Sequence, residues 1–111
     1  MMEFKINNNE WVIKSISKGQ LLTIFKDVFP DEDTSFAYGV TIYPQQTIFI
    51  NSDMCEAQQI KTLKHELTHC YIWNYGLYNV PHYTEEMVCD LVSSINDFIN
   101  EVVNEYKSKH K

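Results

Sequence analysis

The amino-acid sequence predicts a small α+β domain, and three observations carry that prediction. Runs rich in β-branched and aromatic residues recur through the first half of the chain. Two long segments without a helix breaker fill most of the second half. Hydrophobic residues make up 44% of the 111 and charged residues 22%, which is the balance of a globular protein with one core. The expected parts are a small mixed or antiparallel sheet, a hairpin packed on a central helix, and a C-terminal helix. All belong to a single domain spanning residues 1–111.

Each element has its own signal. "EWVIKSI", residues 10–16, follows the turn signal Asn7-Asn8-Asn9 and reads as a strand. In "KGQLLTIFKDVF", Leu21, Leu22, Phe25, Val28 and Phe29 recur at helical spacing, and Pro30 with "DEDT" ends the segment. "YGVTIYPQQTIFINSD" predicts a hairpin with strands at 40–43 and 47–50 and its turn at Pro44-Gln45-Gln46. Asn51-Ser52-Asp53 then resembles a helix N-terminal capping cluster. A helix follows from about Cys55 to Tyr75, with Gly76 as its stop. After the linker "LYNVPHY", Thr84 caps a last helix. Its apolar stripe is Val88, Leu91, Val92, Ile95, Phe98, Ile99, Val102, Val103 and Tyr106.

Charge and cysteine usage exclude several classes. The net charge of −6 argues against nucleic acid as a partner, because phosphate neutralisation needs clustered basic residues. Three cysteines, Cys55, Cys70 and Cys89, form no CxxC pair and no even-numbered disulfide framework. The opening "MMEFKINNNE" is not a secretory signal, and no apolar run reaches the roughly 20 residues needed to span a bilayer. A soluble, reduced, cytoplasmic protein without membrane contact is expected.

The chemistry is concentrated in "HELTH". On a helix, His65 and His69 share a face one turn apart and can offer two imidazoles to one zinc ion at about 2.0–2.1 Å. Glu66 is rotated by roughly 100°, too far to share the metal easily but near enough to act as general base on its water. The opposite side of the helix carries Ile60, Leu67 and Tyr71, a stripe suited to the core. A catalytic zinc usually takes a third protein ligand. Glu86 is preferred, ahead of His82 and then Glu85. Asp90, one turn after Glu86, would accept a hydrogen bond from a ligand histidine and fix its tautomer. Cys89 and Ser93 flank that face with side chains small enough for a second helix to approach. Cys70 and Cys89 are expected to pack rather than to bind metal. Tyr75, Tyr78, Tyr83 or His82 could hydrogen-bond a developing oxyanion, and Trp73 lies among them.

HELTH, the following Glu86-x-x-x-Asp90 and the preceding "GVTIYPQQTIFIN" hairpin together resemble the small zincin metallopeptidases of the ImmA/IrrE type, common on phages and mobile elements. The resemblance covers about Gly39 to Ser94. It implies a zincin-like fold, with the hairpin against the active-site helix, and a zinc-dependent endopeptidase that cuts a regulatory protein such as a repressor. His65 and His69 would be metal ligands, Glu66 the catalytic base and Glu86 the third ligand. The stretch "MVCDLVSS" departs from the alanine and aromatic that the family usually has near its acidic residue. The strand 47–50, as a sheet edge, would bind the substrate as an added strand. The competing expectation is a zincin-shaped binding module that sequesters a protein without cutting it.

Overall fold

A computed structural model of the chain describes residues 1–31, 38–77 and 82–109. Its elements are β1 (Met2–Ile6), β2 (Asn9–Ile16), α1 (Lys18–Val28), β3 (Gly39–Ile42), β4 (Thr47–Asn51), α2 (Glu56–Asn74) and α3 (Glu85–Lys109). The four strands form one mixed sheet in the order β1-β2-β4-β3. β2 and β4 are parallel, and the two outer pairs are antiparallel. The fold is α+β, as expected.

The N-terminal strand is absent from the sequence prediction. Met2, Phe4 and Ile6 are buried, while Glu3 and Lys5 face outward. That period of two is what a half-buried strand requires. Asn7 and Asn8 take φ of 49° and 64°, so the turn signal joins β1 to β2 in a two-residue hairpin. In the second hairpin the Gln46 N–H donates to the Tyr43 carbonyl, with Pro44 between and Gln46 at φ 48°. Proline suits the second position of such a turn because its φ is already set.

Strand alternation splits the core in two. Ile48 and Ile50 of β4 join Trp11, Ile13, Leu63 and Leu67 on the face covered by α2 and α3. Phe49 joins Leu21, Val40 and Ile42 on the face covered by α1. Thus α1 lies on one side of the sheet and the two longer helices on the other. Ser17 and Gln20 close a capping box at the start of α1.

Four expectations require correction. The strand 47–50 is not an edge: β4 pairs with β2 on one side and β3 on the other, so it cannot receive an added strand. Asn51-Ser52-Asp53 does not cap α2, whose N-cap is Cys55 without a side-chain bond. Instead Asp53 Oδ2 accepts the Lys18 N–H at the start of α1, and Asn51 Oδ1 accepts the Asp53 N–H. Cys89 is exposed rather than packed, and so is Ser93, whereas Cys70 is fully buried. The stripe of α3 is covered only in its C-terminal half. Ile95, Val102, Val103 and Tyr106 are buried, but Val88 and Val92 are 45% and 57% exposed. Among the described residues, no helix is long and apolar enough to cross a membrane.

Candidate functional site

The uncharged residues within HELTH let α2 sit deep in the fold. Leu63, Leu67 and Cys70 face the sheet and are fully buried, while His65 and His69 lie on the exposed edge of the helix. Glu66 falls between these two arcs and is 7% exposed. A buried carboxylate needs a donor, and β3 supplies it. The Thr41 hydroxyl lies 2.8 Å from Glu66 Oε1 and 3.3 Å from the Glu66 carbonyl oxygen. The other carboxylate oxygen, Oε2, lies 4.0 Å from His65 Nε2. One oxygen is therefore tied to the sheet and the other lies on the side of His65.

The helix can come this close to β3 because residue 39 is glycine. A Cβ there would stand 2.7 Å from Thr62 Cγ2 and 2.9 Å from the Phe49 carbonyl oxygen, inside any normal contact. Thr41 and Tyr43, two residues apart, present their side chains on the same side of the chain. Tyr43 stacks on Trp73 with centroids 5.2 Å apart and planes 11° from parallel. Trp73 is two turns after Glu66, so the aromatic pair continues the wall that Thr41 begins. Burial raises the Tyr43 phenol above its ordinary pKa, and the negative charge of Glu66 pushes the same way. The Cys70 thiol is pushed up to about 12 by burial, which keeps it an inert packing group.

His65 Nε2 and His69 Nε2 are 3.2 Å apart. Two nitrogens that share a tetrahedral ion at about 2.0–2.1 Å stand roughly 3.3 Å apart, so the spacing of this pair matches the spacing that zinc requires of two ligands. At the same distance the two rings can hydrogen-bond each other, one donating and one accepting.

No family model, curated protein or solved structure matches the chain.

The structure brings His65, Glu66 and His69 together and leaves the downstream candidates elsewhere. His82, Glu85 and Glu86 are exposed. Asp90 lines a cleft beside Tyr71, and Tyr71 in turn meets Phe98 of α3 at 6.0 Å. By helix geometry Tyr71 is roughly 200° around α2 from His69, so α3 packs on the flank away from the histidines. Among the described residues, no group of three or more His, Cys, Asp or Glu is placed to hold a metal ion. Of the oxyanion candidates, Tyr83 donates its hydroxyl to the Leu77 carbonyl at 2.6 Å, Tyr75 is exposed, and Tyr78 lies outside the described residues.

Three residues of the site escaped the sequence reading: Gly39, Thr41 and Tyr43. One signal was available for Thr41, since a lone hydroxyl inside the buried run "GVTI" has to find a partner.

Proposed function

We propose that the chain is a zinc-dependent endopeptidase of the zincin type, with His65 and His69 as metal ligands and Glu66 as general base. The observation that carries this reading is the divided carboxylate of Glu66, with Oε1 held by Thr41 and Oε2 4.0 Å from His65 Nε2. A carboxylate held so can exchange a proton on one oxygen without losing its position on the other. When bound, zinc supplies Lewis acidity, which makes water acidic near neutral pH and offsets negative charge on the substrate carbonyl oxygen. Glu66 takes the proton of the attacking water and passes it to the leaving amine nitrogen as the peptide C–N bond breaks. The wall of buried Thr41 and half-buried Tyr43 and Trp73 shields that carboxylate from bulk water on the side of the sheet.

Asp90, on the far flank of α2, does not serve as an orienting partner in this reading. A third ligand from Glu86, His82 or Glu85 requires the start of α3 to approach the histidines. The metal content of their alanine variants separates them. The substrate class is a regulatory protein such as a repressor. Because β4 is internal, the strand that would receive a substrate segment is β3, which has β4 on one side and no second strand on the other among the described residues.

Untagged protein is expected to purify with about one zinc per chain, and His69→Ala to lose it, by elemental analysis. Glu66→Gln is expected to retain zinc and lose cleavage by about 10²–10⁴-fold. Zinc retained together with full cleavage in Glu66→Gln would end the general-base assignment.

A second reading, a binding module, is favoured by the apolar surface that α3 leaves uncovered.

A further inference from the structure

The sheet has two outer strands, and the proposed hydrolysis uses only β3. The other is β1, which pairs with β2 alone among the described residues. Which of its backbone groups are free follows from the hairpin. Asn7 and Asn8 make a two-residue turn, so the flanking Ile6 and Asn9 exchange backbone hydrogen bonds. Every second pair does the same, Phe4 with Trp11 and Met2 with Ile13. Glu3 and Lys5 fall at the alternate pairs, opposite Val12 and Glu10. The Val12 N–H fixes the phase, because it points away from β1 and donates to the Gln46 carbonyl at 3.0 Å. The N–H and C=O of both Glu3 and Lys5 therefore point outward from the sheet edge.

Edge strands are normally blunted by a proline, a bulge or a charge that points inward. β1 has none of these. Its register with β2 is unbroken, it contains no proline, and its two charged side chains are exposed. Met2, Phe4 and Ile6 are buried on the opposite face, where Phe4 meets Phe98 of α3 with ring centroids 6.0 Å apart. Another strand can add to this edge without uncovering the core. A cavity of about 220 Å³ lies against it, lined by Glu3, Phe4, Lys5 and Glu10.

Charge selects the strand that fits. β1 carries one acid and one base, so it is locally neutral although the chain carries −6. When two copies of β1 run antiparallel and are centred on Phe4, Glu3 of each stands opposite Lys5 of the other. Those opposed pairs are also the ones whose N–H and C=O point outward, so every outward group on both strands finds a partner. A shift by two residues sets Glu3 against Glu3 or Lys5 against Lys5, which is unfavourable. A shift by one sets outward groups against inward ones. In the favoured register Lys5 stands between Glu3 of the other copy and its own Glu10, now 3.8 Å away.

We propose that β1 is a self-association edge, through which two copies of this chain pair β1 to β1, antiparallel and centred on Phe4, into one continuous sheet. The second copy and a substrate segment then take opposite edges of the sheet. This assignment rests on the register and charges of β1 and is independent of zinc and of Glu66.

Five residues a side make a small interface, so association is expected at protein concentrations on the order of 100 μM, read by analytical ultracentrifugation of the full chain. Amide exchange at Glu3 and Lys5 is expected to slow as concentration rises, with no change at residues 40–42 of β3. Glu3→Lys and Lys5→Glu, at exposed positions, are each expected to weaken association at least about ten-fold. Mixing the two variants is expected to restore it, because every opposed pair is then a lysine with a glutamate. A chain that stays monomeric up to about 1 mM overturns the proposal. So does a dimer that survives both variants, or slowed exchange at residues 40–42 in place of Glu3 and Lys5. Failure of the mixed variants to associate would mean that the charges act through net charge and not through register, and it overturns the proposal as well.

Discussion

The two flanks of α2 are built to different tolerances. On the β3 flank, Gly39 admits the helix to the limit of contact, Thr41 bonds Glu66, and Tyr43 lies flat on Trp73. On the α3 flank, Tyr71 meets Phe98 at 6.0 Å, and farther along the contact opens into a cleft of about 240 Å³. One helix thus has a side where each atom is constrained and a side where space is left. The difference teaches where to look for each kind of work. Proton transfer needs groups held within a fraction of an ångström, whereas docking tolerates and uses a gap.

Substitutions along the two flanks sharpen the contrast. The largest effect is expected from Thr41→Val, which keeps the β-branched shape but leaves a buried carboxylate oxygen without its donor. The cost is about 3 kcal/mol, toward the upper end for a charged acceptor, read by denaturant unfolding. Gly39→Ala is next. Its methyl group forces α2 away from β3 and is expected to cost about 2 kcal/mol. If Gly39→Ala proves as stable as wild type, the close approach on that flank is wrong. On the other flank, Val92→Ala is expected to change stability by less than about 0.5 kcal/mol, because the removed methyl groups are already in water. A loss of several kcal/mol at Val92 would mean that this face of α3 is covered.

The buried side of α2 has a signature in alkali. The Cys70 thiol is raised from 9.0 to about 12 in the folded chain, so the native state holds that proton more tightly than the unfolded state. Its contribution is fully present below about pH 9 and is lost as pH rises toward 12. Tyr43 and Tyr106 are raised in the same direction by burial and act with it. Cys70→Ala is expected to flatten part of the decline in melting temperature across that window. An unchanged slope would assign the alkaline loss to the phenols.

The sequence was most legible where one period governed the outcome. His65 and His69 share a face because α2 is a helix. Of the core stripe expected opposite them, Ile60 and Leu67 are buried, while Tyr71 is only half-buried and Leu63 and Cys70 complete the buried arc. Partners across the fold were not legible: Thr41 meets Glu66 from 25 residues away, through a strand whose register no local pattern announces. The β1 strand was visible as an alternation in Met2 to Ile6, but five residues at a chain start are easily read as a tail. The stripe of α3 runs unbroken in sequence through Val88 and Val92. How far it is covered depends on how far the neighbouring elements extend beneath it, which is a property of packing and not of period.

The asparagines of the first hairpin bear on the order of assembly. Asn7 Nδ2 donates to the Asn74 carbonyl oxygen and Asn9 Nδ2 to Asn74 Oδ1, spans of 67 and 65 residues. A hairpin joined by a two-residue turn closes on its own within about 1–10 μs. The last turn of α2 emerges from synthesis much later and has to find that hairpin across most of the chain. The helix that carries the histidines is therefore anchored at its far end by a latch whose receiving half is ready early and whose closing half arrives late.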